Sequence, residues 1–288
     1  MKIALYSRQN GAEEQAFIRT VIEHLQLQEF DLIIHGNCPE TGGCHAFFHN
    51  HEELSRHLPI DFMVSIGGDG SFIDAANLVG NLNIPLVGIN TGRIGFLSGI
   101  KKDNFKECFQ MLKERRYSLE QRSLLHVDSS EPMALSGTFA VNDITIRATD
   151  TDSISAITVW ADGQKVNTYW ADGLIISTPT GSTAYSMSCG GPILHPQSQV
   201  NVLTPIAPHS LSVRPLVIPS NTTLTIEVES RNGRFTLCTD TRKVIVDNRT
   251  RLSIRQEDFQ IQTVLFHNNN FYNIIREKLL WGLDKRNA

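Results

Sequence analysis

Residues 67–70 read Gly67-Gly68-Asp69-Gly70 and follow the apolar run Phe62, Met63, Val64 and Ile66. A buried strand that ends in Gly-Gly-x-Gly just before a helix aims backbone N–H groups into a concave space. The helix N-terminus adds partial positive charge, and phosphate is the natural guest. Missing Cβ atoms let an anion come close and allow positive φ. Asp69 sets a further condition, because a carboxylate among phosphates repels them unless it binds a metal or takes a proton. The competing reading is a plain strand-to-helix turn with Asp69 as the cap. The stretch is neither the dinucleotide-binding fingerprint, which needs G-x-G-x-x-G, nor a Walker loop, which needs G-K-[ST].

Two further stretches carry chemistry. The strand-like Leu174–Ile176 runs into a series of hydroxyls, from Ser177 and Thr178 through Thr180, Ser182 and Thr183 to Ser186 and Ser188. Small hydroxyls near a strand end suit a sugar, an adenine or a phosphate. A capped helix start at Thr180 or Ser182 would account for one or two of them. At Asn142-Asp143 an amide and a carboxylate stand side by side at a strand edge and could clasp the vicinal hydroxyls of a ribose. Asn-Asp pairs are also common in turns.

The elements that must position these residues fall into two textures. Up to about residue 120, strands and helices alternate. Lys2–Tyr6, Phe30–Ile34, Asp61–Ile66 and Ile84–Ile89 read as strands. Glu13–Leu27, His51–Leu58, the stretch through Ala75, Ala76 and Leu78, and Phe105–Leu112 read as helices. That alternation predicts βαβ units and a parallel, Rossmann-like sheet. Beyond residue 122, short β-branched runs recur between turn signals such as Asp162-Gly163 and Asn232-Gly233, which predicts an all-β, sandwich-like domain. Phe271–Trp281 has helical spacing. The expected division is residues 1–122 as an α/β domain, 123–262 as a β-rich domain, and 263–288 as a tail whose helix packs back on the first domain.

Composition bounds the function classes. The chain has 288 residues, 41% of them hydrophobic and 19% charged, which is the balance of a globular protein. A formal net charge of −4 argues against binding nucleic acid through phosphate contacts. Five cysteines at irregular spacing argue against a secreted disulfide framework. The N-terminal apolar run is too short for a signal peptide, and no run reaches membrane-spanning length. The expectation is a cytoplasmic protein without membrane or nucleic-acid partners. Cys38, Cys44, His45, His49 and His51 cluster around Gly42-Gly43, but their spacing is no standard zinc pattern. No protein-held metal is expected there, and the segment reads instead as a mobile loop covering the donor site.

Taken together, these stretches resemble the NAD kinase family, within the wider group of GGDG kinases. The resemblance covers nearly the whole chain and rests on "GGDGSF" (67–72), "GINTGRIGFL" (88–97), "ND" (142–143), "DGLIISTPTGSTAYSMSCGGPILHP" (172–196), "PHSLSVRPLVIP" (208–219) and "KLLWG" (278–282). It implies an enzyme that moves the γ-phosphate of ATP to the 2′-hydroxyl of the adenosine ribose of NAD. A divalent cation, foremost Mg2+, would arrive on the nucleotide. It implies Asp69 as the base, and Gly67, Gly68 and Gly70 as the donor-phosphate loop. It further implies Asp69, Gly70, Asn142, Asp143, Ser153, Asp172, Thr183, Ala184, Tyr185, Ser186, Met187, Ser188 and Ala207 as NAD contacts, with Asp172 acting across a subunit interface of a tetramer or dimer.

Departures from the family pattern are visible. Asp143 stands where Glu is frequent, Trp170 where a basic residue is frequent, and Asp240-Thr241-Arg242 where Asp-Gly-Gln is frequent. Ser153 stands where some relatives have a larger polar residue. A lipid or sphingoid kinase would share the GGDG turn but not the hydroxyl run. A non-catalytic NAD-binding regulator would have no need of Asp69.

Overall fold

A computed structural model describes residues 1–8, 11–39, 46–92, 95–135, 137–149, 154–266 and 270–281. Contacts divide the chain into two units, residues 1–121 with 261–288 and residues 122–260.

The first unit opens with β1 (Lys2–Ser7), α1 (Ala12–Leu27), β2 (Asp31–His35), β3 (Ala46–Phe48), α2 (His51–Ser55), β4 (Phe62–Ile66), α3 (Asp69–Val79) and β5 (Leu86–Asn90). It continues with β6 (Ile100–Lys101), α4 (Phe105–Lys113) and β7 (Ser118–Arg122). Strands β1, β4 and β5 are almost wholly buried, so they read as unbroken apolar runs, as strands covered on both faces do. The amphipathic α1 buries Phe17, Ile18, Val21, Ile22 and Leu25 against them. Each such side chain contributes on the order of 1.5–3 kcal/mol by leaving water.

The second unit holds β8 (Leu125–Ser129), β9 (Phe139–Ala140), β10 (Asp143–Ala148), β11 (Ser155–Ala161), β12 (Gln164–Ala171) and β13 (Gly173–Ser177). A 3-10 turn (Thr180–Thr183) and the short α5 (Tyr185–Ser188) follow. The unit then adds β14 (Val200–Ile206), β15 (Leu216–Pro219), β16 (Leu224–Glu229), β17 (Arg234–Thr239), β18 (Arg242–Asp247) and β19 (Leu252–Gln256). Two antiparallel sheets form, in the orders β15-β14-β13-β10-β17-β18 and β12-β11-β16-β19-β8-β9. Ile144, Ile146, Leu174, Ile176 and Leu237 of one sheet join Val127, Ile157, Val159, Ile226 and Ile254 of the other in a single core. Alternating burial along β16 and β17 matches strands with one covered face. At Asp162-Gly163, φ is 49° and 80°. That is the left-handed pair a two-residue hairpin between β11 and β12 demands.

The chain then returns to the first unit as β20 (Ile261–Leu265) and α6 (Phe271–Leu279). The first sheet has the order β3-β2-β1-β4-β5-β20-β7, with β6 beside β5. Its pairings β1–β2, β1–β4, β2–β3, β4–β5, β5–β6 and β5–β20 are parallel. From β1 the strand order runs one way to β2 and the other way to β4. The carboxyl ends of β1 and β4 therefore flank a topological switch point, the usual ligand crevice of such sheets. Helix α6 buries Ile275 and pairs Glu277 with Lys101 at 3.5 Å, so it packs on the α/β unit. The α/β unit and the β-sandwich appear as the two sequence textures predict. Strands β3, β6, β7, β12, β14 and β20 were not anticipated. Among the described residues, no helix is long and apolar enough to cross a membrane.

Candidate active site

The three glycines of the turn after β4 have different reasons. Gly67 lies at φ 146°, a conformation that L side chains rarely adopt, and its N–H donates to Ile89 O at 2.9 Å. Gly68 is the N-cap of α3, and a Cβ added there meets nothing within 4 Å, so its smallness leaves an open approach to the backbone. At Gly70 an added Cβ would lie 3.1 Å from Arg8 Nη1.

Asp69 is the first residue of α3, and the cap position belongs to Gly68, which corrects the reading of Asp69 as a helix cap. Its half-buried carboxylate turns to the loop after β5. There the Phe96 N–H donates to Oδ2 at 2.9 Å and the Leu97 N–H to Oδ1 at 3.1 Å. Gly95 permits this approach, since a Cβ there would sit 2.7 Å from Asp69 Oδ1 and 2.8 Å from Asn90 Nδ2. Asn90 in turn accepts the Gly92 N–H at 2.7 Å. On the other side of α3, Arg8 forks onto Asp74 through Nε at 2.8 Å and Nη2 at 3.4 Å. Tyr6 Oη donates to Asp74 Oδ2 at 3.0 Å. Burial first, and then the Asp74 carboxylate, push the Tyr6 phenol above its ordinary pKa, which keeps it a donor.

In the β unit, Asn142-Asp143 enters β10 through a clamp that the sequence did not announce. Asp240 accepts N–H bonds from Val141 and Asn142 at 2.8 Å each and from Asp143 at 3.2 Å. Asp240 itself sits at φ 51° and returns its own N–H to Asp143 O at 3.0 Å. Burial raises its pKa, opposed by the three N–H donors. The Asp143 carboxyl is buried and accepts the Thr145 hydroxyl at 2.8 Å. Burial pushes it up to about 7, with the Thr145 bond opposing and Asp240 adding to the rise.

Much of the hydroxyl run is bonded within the protein, which corrects the expectation that a capped helix start would account for only one or two of its members. Thr178 Oγ1 donates to Val141 O at 2.7 Å and accepts the Gly181 N–H at 3.0 Å. Ser177 Oγ reaches Asn142 O at 3.2 Å, and Ser182 Oγ reaches Pro179 O at 2.6 Å. Thr183 Oγ1 bonds Thr180 O at 3.2 Å, and Ser186 Oγ turns inward to Thr204 Oγ1 at 2.8 Å. The helix start expected at Thr180 or Ser182 is a 3-10 turn that begins after Pro179, and no side chain caps it. Thr180 Oγ1 is buried with no partner among the described residues. Gly181 packs flat on the Asn-Asp turn, since a Cβ there would fall 2.1 Å from Asn142 O. Ala184, Tyr185 and Met187 are half-buried beside this turn and Ser188 is exposed.

At the other end of β13, the exposed Asp172 and Ala207 are neighbours, because the Asp172 N–H donates to Ile206 O at 3.0 Å. Trp170, 60% exposed, stands beside them and accepts the His209 N–H on its carbonyl at 2.9 Å. The structure thus gathers Asn142, Asp143 and 177–186 at one end of β13 and Trp170, Asp172 and Ala207 at the other. Ser153 lies outside the described residues.

Cys44, His45, Gly42 and Gly43 also lie outside the described residues. Cys38 is buried and its thiol is pushed up to about 12 by burial. His49 bonds Glu53, and His51 bonds Leu78 O. Among the described residues no three His, Cys, Asp or Glu side chains converge to hold a metal ion.

Sequence reasoning missed Arg8, Asn90, Gly95 and the role of Asp240. Gly95 lay within a quoted motif, and Arg8 is the first cation after a buried strand. Asp240 had only its place in a turn between two β runs.

Residues 7–117 match the family of the ATP-NAD kinase N-terminal domain, and residues 141–266 match that of the ATP-NAD kinase C-terminal domain. An NAD kinase of Cytophaga hutchinsonii is 38% identical over 295 residues and covers both chains completely. One of Flavobacterium psychrophilum is 43% identical over 242 residues, covering 83% of this chain and 82% of its own. Among solved structures, yeast NADH kinase complexed with NADH superposes with a TM-score of 0.88 at 22% identity, covering 99% of this chain and 88% of that one. An NAD kinase from Archaeoglobus fulgidus in complex with ATP superposes with a TM-score of 0.75 at 25% identity, covering 96% and 99%.

Proposed function

The chain belongs to the ATP-NAD kinase family, and from that premise we propose how its residues divide the work. The reaction is transfer of the γ-phosphate of ATP to the 2′-hydroxyl of the adenosine ribose of NAD, giving NADP. The α/β unit carries the phosphoryl chemistry. Open backbone at Gly68 and the N-terminus of α3 favour the donor phosphates. Asp69 accepts the proton of the attacking hydroxyl. A divalent cation, foremost Mg2+, comes on the nucleotide and spreads the charge of the transferring group when bound.

The β unit carries the acceptor. Asn142 and Asp143 hold ribose hydroxyls, and the segment Thr183–Ser188 lines the adenosine. Buried Asp143 can offer either a proton or a lone pair near neutral pH. Asp172 and Ala207 serve the nicotinamide side, and Ser153 contributes a further contact.

The observation that carries this reading is the Asp69 carboxylate, fixed by two backbone N–H groups beside an open glycine turn. Its test is the purified protein with NAD, ATP and Mg2+, assayed for NADP. Formation of NADP that requires all three supports the reading, and its absence with folded protein overturns it.

The protein acts in the cytoplasm as a homo-oligomer, most simply a tetramer. An indole exposed beside Asp172 and Ala207 is costly in open water and typical of a subunit contact. Light scattering at micromolar concentration should give more than one chain per particle. A fully active monomer would sink this assignment.

A further inference from the structure

We propose that Arg8 is a donor-phosphate residue and that Asp74 and Tyr6 position it. This rests on the reading of the glycine turn as the site of the phosphoryl donor. The topology brings the parts together. Ser7, the last residue of β1, is in register with Ile66, the last residue of β4. Arg8 and Gly67 are therefore the next residues on two adjacent parallel strands, at the switch point of the sheet.

Helix α3 then fixes the side chain. Gly70 and Asp74 are separated by four residues on α3 and share one face. Asp74, whose side chain is 20% exposed, takes Arg8 Nε and Nη2 and is itself held by Tyr6 Oη. With those two nitrogens turned to Asp74, Nη1 is left against Gly70, close enough that a methyl on Gly70 would touch it. The guanidinium has five N–H groups in a fixed plane, so a fork onto Asp74 leaves others free to meet an anion. Its side chain is half-exposed, which suits a group that meets a ligand from solvent. Asp69 occupies the opposite flank of the same first turn, bonded to Phe96 and Leu97. The turn thus presents an acid on one side for the attacking hydroxyl and a fixed cation on the other. The ligand class is the terminal phosphates of a nucleoside triphosphate, and Arg8 would neutralise the oxygens that Asp69 repels. A lysine could supply the charge but not the fork onto Asp74.

The experiment measures binding of inorganic tripolyphosphate and of ATP by calorimetry, and KM for ATP and for NAD, in wild type, Arg8→Ala, Arg8→Lys and Asp74→Asn, with melting temperatures alongside. Charge-assisted hydrogen bonds to phosphate predict that Arg8→Ala weakens tripolyphosphate and ATP about 10- to 100-fold. KM for NAD should stay within about twofold. Arg8→Lys should recover part of the loss, and Asp74→Asn should fall between wild type and Arg8→Ala. Folded Arg8→Ala that binds tripolyphosphate and ATP like wild type overturns the proposal, as does a loss confined to NAD. If wild type forms NADP while Arg8→Ala binds the donor unchanged, the role of Arg8 falls and the family reading stands. If tripolyphosphate binding depends on Arg8 while wild type forms no NADP, the anion site stands and the reaction assigned to it falls.

Discussion

Both units secure a loop by driving backbone N–H groups onto a half-buried carboxylate, but the acids offered to a ligand, Asp69 and Asp143, lie at different depths. In the α/β unit, Asp69 holds the loop after β5 while half-buried, with an open glycine on its own side. In the β unit, Asp240 holds the Asn142-Asp143 turn while itself half-buried, but the acid on the turn it holds, Asp143, is buried. A carboxylate that keeps part of its surface in water stays ready to take a proton from a ligand. One sealed in the interior fixes shape and resists ionisation. On the proposed reading, the first unit handles charge in motion and the second offers a surface of fixed form.

The largest test of this contrast is Asp69→Asn. The carboxylate accepts one N–H on each oxygen, whereas an amide aims an NH2 at one of those donors. We expect kcat to fall by about 10²- to 10⁴-fold, the general-base contribution. An additional loss of stability on the order of 1–3 kcal/mol should follow from the broken clamp. Turnover and thermal melting on one preparation check both, and near-normal kcat would erase the distinction drawn for Asp69.

A pair of glycine substitutions probes the same contrast through sterics. Gly181→Ala sets a methyl 2.1 Å from the Asn142 carbonyl, backbone against backbone. Overpacking of this kind should cost about 1–3 kcal/mol or more, read from urea unfolding. Gly68→Ala meets nothing within 4 Å, so its melting temperature should hardly move. Its KM for ATP should rise because the methyl occupies the phosphate approach. Equal destabilisation by the two would contradict the claim that one unit is packed and the other open.

The smallest effect should come from Asp143→Asn, seen as a change of pH dependence. The folded pKa of Asp143, about 7, lies above its ordinary 3.8, so the folded chain keeps a proton that the unfolded chain has released. This group's share of stability is complete below about pH 4 and is lost as pH rises to about 7. Asp143→Asn should flatten that slope in denaturation curves collected across the window. An unchanged slope would place the titration elsewhere.

The sequence made the alternating elements of the α/β unit legible because its buried strands are continuous apolar runs. Strand β12 was hidden because four of its first five residues, Gln164, Lys165, Asn167 and Thr168, are polar, and only Tyr169 and Ala171 are buried. Strand β14 was hidden by Pro205, which normally argues against an interior strand. Its pairing with β15 stops at Leu203, so Pro205 sits where one side of β14 is a free edge. Asp69 was legible because its motif is local. The work of Asp240 was not, since its partners lie 97 to 99 residues away and only folding brings them together. The hydroxyl run was only partly legible for a related reason, because sequence reports hydroxyls but not which of them the backbone has already claimed.

Strand β20 lies between β5 and β7, yet it is made only after the whole β unit. During synthesis the first sheet must wait with that slot unfilled while some 140 residues emerge, which at roughly 5–20 residues per second means about seven to thirty seconds. Through that interval the part of β5 near Leu86 that will receive β20 is an unpaired stretch of sheet edge able to recruit a foreign strand. The vulnerable moment in the life of this enzyme is thus its birth. A nascent chain halted before residue 261 should be far more sensitive to protease and to aggregation in its first unit than the released protein.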